Sequence, residues 1–88
     1  MDFDWPKSAS RLLKAQIALE GLTLAQLAVR LNGLGLSETE ASLKNKLYRG
    51  TFATTFFMQC LHALGQPKID VSSVIPGTIS AGRSLDEN

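Results

Sequence analysis

Thr39, Ser42, Lys44, Asn45, Lys46 and Arg49 fall within one short stretch of this chain. An amide such as Asn45 offers a donor and an acceptor side by side and matches the edge of adenine, while Lys and Arg suit guanine or phosphate. Helical spacing gathers Thr39, Ser42, Asn45, Lys46 and Arg49 on one side, so the chemistry within reach is recognition of a polyanion rather than bond making. Thr39, Ser42, Asn45 and Lys46 are the candidates for reading bases, and Lys44, Arg49 and the upstream Arg30 are the candidates for holding phosphates. No comparable set exists for catalysis. Cys60 and His62 stand two residues apart and point about 200° away from each other on a helix, so they form neither a metal pair nor a nucleophile and base. A Gly-rich phosphate loop, a G-x-S-x-G elbow and paired cysteines are all missing from the sequence. The sequence therefore predicts no enzyme, no catalytic residue, no cofactor and no metal site.

The composition agrees with a small binding module. Eighty-eight residues, 44% hydrophobic and 19% charged, leave room for one domain and not for a deep, water-excluding pocket. One cysteine allows no internal disulfide, which fits a reducing, cytoplasmic setting. No apolar run reaches the roughly 18–20 residues of a membrane span, and the mixed, acidic start does not read as a secretory signal. The net charge of +1 conceals a division. Residues 7–68 hold eight cations against Glu20, Glu38 and Glu40, a net of +5, and the acids Asp2, Asp4, Asp70, Asp86 and Glu87 lie at the two ends. A basic centre is what association with phosphate needs.

Four helical signals supply the scaffold. The first covers 8–20, with Leu12, Leu13, Gln16 and Ile17 at apolar spacing, Pro6 placed for a first helical turn, Trp5 packing back on the bundle and Gly21 as the stop. The second opens at Thr23 with a capping box to Gln26, buries Leu24, Leu27, Ala28 and Leu31, and ends at the glycines 33 and 35. The third opens at Ser37 with a box to Glu40 and stops at Gly50; Glu38, at its start, faces outward. The fourth runs from Phe52 or Ala53 to Leu64 and is so apolar that only Thr55, Gln59 and His62 line a wet strip. Its Phe56, Phe57 and Met58 serve the core or a dimer surface. Beyond Pro67, Ile69, Asp70 and Val71 alternate like a short strand, and a flexible tail follows from about residue 72. The domain is thus 5–68, with 69–88 as an appended segment.

Residues 22–50 have the parts of a helix-turn-helix: a capped helix with the small Ala28 where two helices cross, a glycine-containing turn, and a second capped helix. The string GLTLAQLA, a third helix ending in YRG and a fourth ending in HALG resemble the λ-repressor-like (Cro/C1-type) DNA-binding domains. More closely, WPKSASRLLKAQIALEGLTLAQLAVRL with ETEASLKNKLYRGTFATTFFMQCLHALG is similar to a family of small, mostly bacterial domains of unknown function with that type of core, over residues 5–66. The resemblance implies an all-α, compact fold of four to five helices, a recognition helix at 38–49, and binding of double-stranded DNA as a homodimer. The turn after Ala28 is about three residues longer than in the repressor pattern.

The leading expectation is a sequence-specific, homodimeric transcriptional regulator that places helix 38–49 in the major groove, with no membrane partner. The alternative is a protein-interaction adaptor that keeps the repressor-like fold without binding DNA. RNA binding ranks lowest, for want of an exposed aromatic in basic surroundings.

Overall fold

The computed structural model describes residues 3–65, 68–72 and 74–76, and within them four helices: α1 Trp5–Leu19, α2 Leu24–Gly33, α3 Glu40–Arg49 and α4 Thr54–Leu64. No strand occurs among the described residues, so Ile69–Val71, expected to be strand-like, is irregular, because no neighbouring edge is there to pair with it. Of the tail expected from about residue 72, residue 73 and everything beyond residue 76 lie outside the described residues.

Local chemistry sets the helix ends. Asp4 caps α1 by accepting from the Lys7 backbone N–H at 2.9 Å, and Pro6 sits in the first turn, where its missing N–H costs nothing. α1 therefore starts three residues before the expected Ser8. Its end is a Schellman turn: Gly21 takes φ 69° and donates to the Ala18 carbonyl, while Leu22 donates to that of Ile17. The axes of α1 and α2 then meet at 91°. Thr23 and Gln26 form the capping box of α2, with bonds of 3.1 and 2.9 Å. α2 closes with the same turn, in which Gly35 donates to Asn32 and Leu36 to Leu31.

α1 and α2 each pack against both α3 and α4. Leu13 and Ile17 from α1, Leu27, Ala28 and Leu31 from α2, Leu43 and Leu47 from α3, and Phe56, Cys60 and Leu64 from α4 make one buried cluster. Each large side chain taken fully out of water there contributes about 1.5–3 kcal/mol. α4 is less enclosed than its composition implies, since Met58 is well exposed. Trp5 is likewise exposed, edge-on to Phe3, and does not pack back on the bundle as expected. The chain after α4 returns across α1: the Ser8 hydroxyl donates to the Val74 carbonyl, and Val71, Val74 and Ile75 border a groove with Trp5, Ala9 and Leu12.

Candidate nucleic-acid interface

α3 begins later than the sequence predicts. The capping box joins Thr39 and Ser42, not Ser37 and Glu40: the Thr39 hydroxyl accepts from the Ser42 backbone N–H at 3.1 Å, and the Ser42 hydroxyl accepts from that of Thr39 at 2.8 Å. Both pairs have the required spacing, and the fate of Glu38 decides between them. With the helix opening at Glu40, Glu38 stays in the extended approach and its side chain turns inward, where it is 6% exposed. Asn32 fastens this approach by accepting from the Glu38 backbone N–H at 2.7 Å and donating to the Glu38 carbonyl at 3.0 Å. The connection from α2 to α3 thus delivers a carboxylate to the interior.

Lys46, one of the expected base readers, is that carboxylate's partner. Its ammonium lies 2.5 Å from Glu38 Oε2 and 4.6 Å from the centre of the Phe56 ring, and the Ser42 hydroxyl donates to Glu38 Oε1 at 2.6 Å. Burial pushes the Glu38 carboxyl up, but the hydrogen bonds from Lys46 and Ser42 and the lysine's charge together outweigh it and hold it below the usual carboxylate range. Nearby, burial above all, and then the Glu38 charge, push the Cys60 thiol up to about 12, so it stays protonated and packs as a small apolar group. Glu38 does not face a groove.

Of the expected contact residues, Thr39 and Ser42 are engaged in the cap and Lys46 in the ion pair. Arg30 reaches α4, donating from Nη1 to the Ala63 carbonyl at 2.9 Å in its last turn. Lys44 stands 3.8 Å from Glu40, both well exposed, a pairing of little energetic weight. Asn45 and Arg49 are exposed, and among the described residues neither side chain makes a hydrogen bond or ion pair. Tyr48 lies beside them at 89% exposure. Contrary to the expectation that none exists, it is an exposed aromatic in basic surroundings. The outer face of α3 is therefore Ala41, Lys44, Asn45, Tyr48 and Arg49, opposite the buried Leu43 and Leu47.

The exit from α3 is fixed by Gly50, at φ 69°, whose backbone lies against Pro6 so closely that an added Cβ would collide with the Pro6 carbonyl. This contact sets Arg49 beside α1. Lys7, Arg11 and Lys14 of α1, with Tyr48, Arg49 and Thr51, then line an open cleft of about 670 Å³.

The model of a domain of unknown function, DUF6471, matches residues 5–69, a span that takes in all four helices and their caps except Asp4. The chain belongs to the DUF6471 family. No curated protein and no solved structure matches it. In this DUF6471 domain Lys7 and Tyr48 are the residues to which the sequence assigns no role, while Arg11 and Lys14 read there as ordinary surface cations. A signal for the cations was there: Lys7, Arg11 and Lys14 recur at helical spacing. Nothing in the sequence announces that the DUF6471 helix α3 brings Arg49 to them, because that depends on the approach of Gly50 to Pro6.

Proposed function

We propose that this domain binds double-stranded DNA, with α2 and α3 acting as a helix-turn-helix pair and α3 entering the major groove. One observation carries the reading: the side of α3 away from the core holds Lys44, Asn45, Tyr48 and Arg49, and Asn45 and Arg49 have no partner among the described residues. Side chains that could satisfy each other and do not are available to a ligand. Asn45 is the best-placed base reader, able to bond adenine through two atoms, and Arg49 and Lys44 suit guanine or phosphate. Thr39, Ser42 and Lys46 act behind them by holding the helix in place. A reading head this small binds tightly as a pair, so the proposed regulator is a homodimer on a two-fold site.

The test is selection of bound duplexes from a random library by the full chain, followed by anisotropy measurements on the enriched sequence. Enrichment of a palindrome supports DNA recognition and the dimer together. Absence of duplex binding at low salt, where such contacts are strongest, ends the proposal. A second reading, a protein-interaction adaptor, draws on the exposure of Leu19 at 74% and Val29 at 71%, two apolar side chains that α1 and α2 leave in water. Association of the chain with itself or a partner that is lost in Val29→Ser, with no affinity for duplex, favours that reading.

A further inference from the structure

Lys7, Arg11 and Lys14 occupy positions i, i+4 and i+7 of α1, one exposed face. Like charges at that spacing repel one another mildly, a cost relieved when an anion arrives. With Arg49 they bring four cations to the cleft between α1 and the end of α3. Among the described residues none of the four takes part in an ion pair. Asp4, the one acid on the lining, is turned to the α1 N-terminus, where it accepts from the Lys7 backbone. From Lys7 to Lys14 the face covers about 10 Å of helix axis. That is about three steps of the roughly 3.4 Å axial rise from phosphate to phosphate on one DNA strand.

We infer that this cleft is a clamp for the phosphodiester backbone of a nucleic acid, with α1 rather than α2 supplying the anchors. The inference rests on the proposed DNA binding and adds to it how the domain is seated. Arg30, the anchor expected on α2, is committed to the Ala63 carbonyl and lies outside the clamp. The contact of Gly50 with Pro6 joins the two walls, so a phosphate run held along α1 fixes the angle at which Asn45 and Tyr48 are presented.

The test compares the native chain, the triple variant Lys7→Ala, Arg11→Ala, Lys14→Ala, and Arg30→Ala, by the salt dependence of their affinity for one short duplex. All four positions are exposed, and thermal melts check that each variant folds. Each phosphate contact contributes about 0.9 to the slope of log affinity against log salt, so the triple variant loses about 2.7 in slope. Between about 50 and 200 mM salt the native affinity then falls roughly forty times further than that of the variant. Arg30→Ala keeps the native slope. If the native chain binds duplex and the triple variant keeps its slope, the clamp is overturned while DNA binding stands. If the native chain binds no duplex, the DNA reading falls, and titration with inorganic tripolyphosphate followed by NMR judges the clamp alone. Shifts confined to Lys7, Arg11, Lys14 and Arg49 support a phosphate site, and their absence overturns it. Preference for single strands with the same loss of slope in the triple variant keeps the clamp and rejects the duplex as its ligand.

Discussion

Replacing Lys46 by Met removes the cation from Glu38 while keeping the length of an unbranched side chain. The carboxylate left behind is 6% exposed and retains only the Ser42 hydroxyl at 2.6 Å as a side-chain donor. Stripping the partner from a buried ion costs about 3–5 kcal/mol, and because Lys46 is itself 31% exposed the lower end, about 3 kcal/mol, is expected at neutral pH. The sign of the pH dependence follows from the two states of the carboxyl. In the native chain it is held below its ordinary value, so its stabilisation is fully present above about pH 4.3 and is lost as the pH falls through the lower folded value. In Lys46→Met burial prevails, the folded value rises above the ordinary one, and acid relieves the defect by protonating Glu38. The loss should therefore shrink from about 3 kcal/mol at neutral pH to about 1 kcal/mol near pH 4. Glu38→Gln, which keeps the shape and leaves Lys46 free to turn to solvent, should cost about 1–2 kcal/mol with little pH dependence. Added to Lys46→Met, it should recover part of that variant's loss. Urea unfolding followed by far-UV circular dichroism at neutral and acidic pH, on the native chain and the three variants, gives the coupling directly. A Lys46→Met cost under about 0.5 kcal/mol, the level of an ordinary surface change, refutes the argument, as does a cost that stays constant into acid.

Gly50→Ala should destabilise by about 3 kcal/mol or more, whereas Gly65→Ala, at a similar φ of 72° but with open space around it, should lose only the roughly 1–2 kcal/mol of left-handed strain; equal losses in thermal melts would remove the Pro6 contact from the account. Thr39→Ala should cost about 1 kcal/mol and Ser37→Ala less than about 0.5 kcal/mol, and the reverse order would return the start of α3 to Ser37. The Cys60 thiol, raised to about 12, should resist a thiol reagent in the folded chain at mildly alkaline pH and react promptly in urea; equal rates would mean that the thiol is not enclosed. Asn45→Ala should leave the melting temperature unchanged, cost about 1–3 kcal/mol of affinity for the selected duplex and relax preference at one base pair; an affinity that does not move excludes Asn45 as a base reader.

The number of helices, their order and most of their ends were legible in the sequence because each rests on neighbouring residues. The box of Thr23 with Gln26, the stops at Gly21, Gly35, Gly50 and Gly65, and the buried stripe of Leu27, Ala28 and Leu31 are all written within a turn or two of the chain. The site was less legible. Periodicity places Lys46 and Asn45 one step apart on the same helix, but not that one step turns Lys46 toward Phe56 and leaves Asn45 in water. Of two overlapping capping patterns, local chemistry favours Ser37 with Glu40, because Glu is the usual third residue of a box, and the start at Thr39 goes with the ion pair of Glu38, eight residues from its partner. Arg30 and Tyr48 fail the local view for the same reason. The carbonyl that claims the first belongs to another helix, and the 89% exposure of the second depends on how the other helices pack, which no local pattern states.

α3 divides its labour between its two sides. The cap, the ion pair and Leu43 with Leu47 fasten the inner side, and changes there are costly. Ala41, Asn45, Tyr48 and Arg49 hold up nothing else, and substitutions at such positions shift stability by only about 0.5 kcal/mol. The outer side of this helix is therefore free to diverge, residue by residue, on a scaffold that does not have to change with it.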